Sequence, residues 1–115
     1  MACQSAPVSI FTLEAVEHEP HPEGCEAQAI AIHVNDTAGN PVEGITATLR
    51  TVGTDGVETT QTTDSNGEAV FTAASEETTY FLRLSRTEDD LSDTVVVEHF
   101  PACTRNLTRV TFVQR

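Results

Sequence analysis

Apolar and polar residues alternate over short stretches along most of this chain, the period of half-buried β-strands. Ile30, Ile32 and Val34 share one face of a segment from Glu26 to Asn35, with Ala29, Ala31 and His33 on the other. Ile45, Ala47 and Leu49 point inward along Gly44 to Val52, opposite Thr46, Thr48 and Arg50. Ala69, Phe71 and Ala73 line a short strand, and Tyr80, Leu82 and Leu84 a strongly alternating one from Thr78 to Ser85. Further strands are predicted from Val8 to Val16, Thr94 to His99 and Leu107 to Val113. Val57 to Thr63 is strand-like too. It is almost free of large apolar side chains, which predicts a sheet edge.

Turn chemistry separates these segments. Asp36 to Asn40 is followed by Pro41, Gly53-Thr54-Asp55-Gly56 reads as a hairpin turn, and Asp64-Ser65-Asn66-Gly67 supplies residues that tolerate positive φ. The polar stretch Glu17 to Gly24 contains two prolines that a central strand would not accept. Helix formers never gather with 3.6-residue apolar spacing, and no βαβ rhythm appears. The expectation is an all-β fold, a Greek-key immunoglobulin-like β-sandwich of about seven to eight antiparallel strands. Residues 1–7 are expected to be a flexible N-terminal segment and residues 8–115 one sandwich domain, without internal repeat or linker.

Charge narrows the choice of partner. The 115 residues carry a net charge of −12, and all six basic residues are arginine. Such a surface repels nucleic-acid phosphates and anionic headgroups, so no nucleic-acid partner is expected. A high-salt habitat and an acidic secreted proteome explain the charge equally well. Without lysine, the Lys–Asn or Lys–Asp isopeptide crosslinks of many bacterial surface domains cannot form. No stretch is apolar and long enough to span a membrane as a helix.

Three cysteines leave at least one unpaired. Cys25 and Cys103 each precede a predicted strand, and a bridge between them would stabilise by roughly 4 kcal/mol in the chain-entropy model. That pairing is favoured and implies an oxidising compartment, outside the cell or at its surface; the two pairings through Cys3 stay open. Met1-Ala2-Cys3 places a small residue before cysteine, as at a lipoprotein cleavage site, which makes Cys3 a candidate lipidation site and the only expected tie to a membrane. A free or intermolecular thiol is the alternative. His21 and Cys25 share with His99 and Cys103 a His-x-x-x-Cys spacing. Brought together unoxidised, the four would suit tetrahedral zinc, whereas a bridge between the sulfurs removes both thiolates.

Asn35 to Thr72 resembles the bacterial immunoglobulin-like domains of the invasin/intimin type. The resemblance rests on Asp36, Gly39-Asn40-Pro41-Val42, Gly44 and Thr63-Asp64-Ser65-Asn66-Gly67-Glu68-Ala69. The block is also similar to the transthyretin-like regulatory domain of carboxypeptidases, with Tyr80-Phe81-Leu82 as the following strand. Both resemblances imply a spacer, an adhesive module or an accessory domain. The opening His33-Val34-Asn35-Asp36-Thr37 is similar to that of hydroxyisourate hydrolase, which would give His33 and Arg50 catalytic roles. That family's C-terminal Tyr-Arg-Gly-Ser is replaced here by Phe112-Val113-Gln114-Arg115.

Other chemistry is thinly represented. No serine occupies a Gly-x-Ser-x-Gly elbow, and phosphate-cradling glycine loops are missing from the sequence. Asp64 to Glu68 lacks the ligand spacing of a calcium loop, and Glu88, Asp89, Asp90 and Asp93 read as a solvated acidic loop. Asn35 and Asn106 head sequons and are candidate glycosylation sites. The expectation is a non-enzymatic, extracytoplasmic module with neither cofactor nor metal. Its partner would be a protein or glycan surface, or copies of itself meeting through an edge strand.

Overall fold

The structure is a computed structural model that describes residues 10–53, 58–86 and 89–115. Its strands are β1 (Phe11–Glu19), β2 (Ala29–Asn35), β3 (Thr46–Thr51), β4 (Glu58–Thr62), β5 (Glu68–Thr72), β6 (Thr78–Arg86), β7 (Asp89–Asp90), β8 (Val95–His99) and β9 (Leu107–Gln114). Sheet 1 has the order β1-β9-β2-β5; sheet 2 has the order β4-β3-β6, with β7 and β8 both paired to β6. The expected all-β sandwich is what these residues form. The core between the layers is the inward half of each alternating pattern, including Ile30, Ile32, Val34, Leu82, Leu84, Val110 and Phe112.

Four details differ from the sequence expectation. The pair β2–β9 is parallel, while the other strand pairs are antiparallel. Parallel neighbours need a long connection, and here most of the domain lies between them. The acidic loop contributes the short strand β7, its Asp90 paired with Ser85 and its carboxylate 3.8 Å from Arg83. β2 begins at Ala29 because the residues before it close a turn, Ala27 N–H donating to the Gly24 carbonyl. The predicted strand from Val8 is realised from Phe11 onward and runs on to Glu19, with Val8 outside the described residues. A register shift between Leu13 and Ala15 bulges this edge.

The same closed loop occurs twice at one end. Asp36 N–H bonds the Asn40 carbonyl, and its Oδ1 accepts from the Ala38 and Asn40 amides at 2.8 and 2.9 Å. Asp64 repeats the pattern with Glu68, and with the Asn66 and Glu68 amides at 2.8 and 3.1 Å. An Asx side chain thus replaces the missing ladder bonds in both turns. The amides, with Asn40 first, hold the Asp36 carboxyl below the ordinary carboxylate range. Thr63 anchors the second loop: its buried hydroxyl donates to Val42 O and accepts from Ile45 N.

Gly67 is where the two loops lock. Its carbonyl receives the Val34 amide at 2.8 Å, and its φ of 72° lies in the left-handed region. A Cβ there would stand 2.7 Å from Val34 O and 2.9 Å from the Pro41 Cβ. Gly39 has φ of 86° but open space around it. Gly39→Ala is therefore expected to cost about 1 kcal/mol for the backbone alone. Gly67→Ala adds overpacking against backbone and should cost roughly 3 kcal/mol. Urea unfolding of the two variants checks the difference; equal midpoints would contradict the docking of the loops.

Candidate functional site

The candidate site expected from the sequence gathers at the opposite end of β2, where β2, β8 and β9 meet. Alternation along β8 turns Val95, Val97 and His99 inward, and along β9 Thr108, Val110 and Phe112. His99 and Thr108 thus enter the core as polar side chains and must find partners there. His99 Nδ1 lies 2.8 Å from Thr108 Oγ1, and Nε2 lies 2.8 Å from Gln28 Oε1. The Gln28 amide nitrogen donates to Cys25 O and Pro101 O, so its oxygen must accept. Nε2 consequently carries a proton, and burial, which disfavours the charged ring, leaves Nδ1 to accept from the Thr108 hydroxyl.

Asn106 ties the flanking loops. Its Nδ2 donates to Gly24 O at 2.8 Å and Ala27 O at 2.7 Å, and its Oδ1 accepts the His21 amide at 2.7 Å. The disulfide Cys25–Cys103 closes the same loops, with the two Cα atoms 4.5 Å apart and both residues exposed. Beside it His18 Nε2–H donates to Glu98 O, and the His18 ring meets Phe100 edge-on at 5.0 Å. Arg105 covers the Phe100 ring at 3.9 Å. Every buried side-chain nitrogen and oxygen among the described residues has a partner.

This geometry sorts the sequence candidates. Cys25 and Cys103 are brought together as a bridge, which fits an oxidising setting. The metal arrangement with His21 and His99 is not assembled: the thiolates are consumed and both His99 nitrogens are hydrogen-bonded. Asn106 corrects a sequence expectation. It is fully buried with its amide nitrogen engaged twice, so the folded chain offers it to no glycan. Asn35, half-buried at the end of β2, precedes an exposed Thr37. His33 lies on the outer face of sheet 1 and Arg50 on the outer face of sheet 2, so one chain does not join them in a site. Cys3 lies outside the described residues, as does Glu88 of the acidic loop.

The sequence reading missed Gln28 and the structural use of Asn106. The signal available was parity: Gln28 continues the Ile30, Ile32 face, and a polar residue at a core position needs a polar neighbour. Comparison with protein-family models and with curated proteins finds no match.

Two expectations follow from this end of the molecule. Burial, and then the nearby charge of His18, lower the His99 pKa from its ordinary 6.5. The unfolded chain takes up a proton there as pH falls through about 6.5, while the folded chain resists it. The stability contributed is therefore full above that pH and lost as pH falls toward the lowered folded value. The urea midpoint should drop between pH 7.5 and 5.5, and the drop should shrink in His99→Gln; an unchanged pH slope in that variant refutes the assignment. Thiol titration of the native protein should find one reactive cysteine per chain. Mild reduction should add two and lower stability by about 4 kcal/mol.

Proposed function

We propose that this protein is a non-enzymatic, extracytoplasmic β-sandwich module for recognition and assembly at a surface. The observation that carries the reading is β4. All five of its residues are exposed, and among the described residues it is hydrogen-bonded only to β3. Its pairing with β3 runs from Glu58 to Thr62 without a shift, unlike the bulged edge β1. Such an edge presents unpaired backbone donors and acceptors to another strand.

A second copy is the partner we favour for that edge. Antiparallel pairing centred on Thr60 sets Glu58 opposite Thr62 and Thr59 opposite Gln61, so no like charges face each other. The exposed disulfide supports an extracytoplasmic setting, where the bridge persists. Cys3 would supply a lipid anchor if acylated. The resemblance of the Asp36 and Asp64 turns to bacterial immunoglobulin-like modules agrees with a spacer or adhesive role. With net charge −12 on each chain, association should strengthen with added salt.

Sedimentation velocity tests the edge. The native protein should show a reversible dimer at high micromolar concentration and raised salt, and Thr60→Lys should abolish it. That change reduces the net negative charge, so a simple charge effect would instead strengthen association. A strictly monomeric native protein, or an undiminished dimer in the variant, rules against assembly through β4.

A further inference from the structure

The outer face of sheet 2 holds a feature that edge pairing does not use. Register aligns Glu58, Arg50, Phe81 and Val96 in one row across four strands, with Thr48 and Arg83 in the row beside it. Between the rows lies a cavity of about 130 Å³, also lined by Thr94. Thr48 points away from the core, yet only 6% of it is exposed, because it forms the floor of this hollow. Val96, opposite Phe81 on β8, is 57% exposed.

Two of the six cations of an acidic chain converge here. The Arg50 guanidinium carbon sits 4.9 Å from the Phe81 ring centroid, and no carboxylate lies within ion-pair distance of it among the described residues. Among the described residues Arg83 has one acidic partner, Asp90, at 3.8 Å. Stacking on Phe81 orients the Arg50 fork while leaving donors for a planar, two-oxygen anion.

We infer that this hollow binds the uronic-acid residue of an acidic polysaccharide. The inference deepens the recognition reading above and rests on it. The sugar carboxylate pairs with Arg50 and Arg83, diagonal neighbours roughly 7–8 Å apart at the backbone. An apolar edge of the sugar ring meets Phe81 beside the stacked guanidinium, and the hydroxyls of Thr48 and Thr94 meet the ring hydroxyls. Glu58, which also lines the hollow, accepts hydrogen bonds from the hydroxyls beside the sugar carboxylate, donors that a glutamate side chain does not carry. The cavity is below the size that encloses a drug-like molecule, so one charged residue enters it and the rest of the polymer lies across the sheet.

Amide-resolved NMR titration with trigalacturonate tests the site, with its trimethyl ester and triglutamate as comparisons. Trigalacturonate should give saturable shifts concentrated in β3, β6 and β8, and the ester should bind at least about tenfold more weakly. Arg50→Gln and Arg83→Gln, each checked for an unchanged urea midpoint, should each weaken binding about tenfold. Absence of saturable shifts, equal binding of the ester, binding of triglutamate as strong as trigalacturonate, or unaltered affinity in both variants overturns the assignment. Sedimentation of the same Arg50→Gln sample reports β4 association separately, so failure of the sugar site leaves the assembly reading to its own test.

Discussion

Sheet 1 exists only because the last strand slots between the first two. Among the described residues β1 pairs with β9 alone, and β2 reaches β1 only through β9, so the sheet cannot close until residues 107–114 are in place. The inward side chains Val110 and Phe112 then fill the centre of the core, both completely buried. Because β9 runs parallel to β2, the two begin at the same end of the molecule. That end is where Cys25 meets Cys103, so the bridge fixes the starting points of two strands that the chain brings together last. Long-range pairing of this kind is slow to form, and a staple across it constrains the unfolded chain most usefully.

Placing β2 and β9 in parallel also sets a hydrogen-bonding problem at their shared beginning. The chain arrives there through Gly24–Gln28 on one side and Pro101–Asn106 on the other, and neither segment is itself a strand. Asn106 and Gln28 supply the missing partners, accepting one amide and donating to carbonyls of both loops. His99 completes the set by occupying the Gln28 oxygen. A neutral imidazole suits this place because one nitrogen must donate and the other accept. An arrangement that is fully satisfied rigidifies its surroundings, while one with a single proton too many leaves a buried charge to solvate.

Much of the fold was legible because one face of each strand is buried. The Ile30–Val34 and Tyr80–Leu84 alternations specify which way the side chains point, and the Thr-rich β4 announces its exposure by lacking such a face. Direction of pairing was not legible: alternation of period two is the same for parallel and antiparallel neighbours, so β2–β9 was invisible to it. The site was legible in part. The position of Cys25 and Cys103 before strands pointed to their bridge. The sequon at Asn106 misled because three residues of sequence do not say whether an amide faces solvent or carbonyls. His99 was singled out by its spacing to cysteine, although its parity with Val95 and Val97 carried the better information.

The placement of charge separates the two outer faces of the sandwich. On sheet 1, Arg109 is matched by Glu19 at 3.0 Å, and the small residues Ala29 and Ala31 beside it are buried with Leu107. That cation is neutralised within its own sheet. On sheet 2, the cross-strand neighbour of Arg50 is the carboxylate-bearing Glu58, yet Arg50 lies over Phe81. A surface ion pair of that kind contributes little, so the local geometry is free to follow ring stacking instead. Such an arrangement keeps a cation half-buried, oriented and, among the described residues, without an ion pair, in a molecule whose overall field repels anions. An acidic ligand would have to overcome that field at long range and be recognised at short range, which favours a polymer that meets many copies of the module at once.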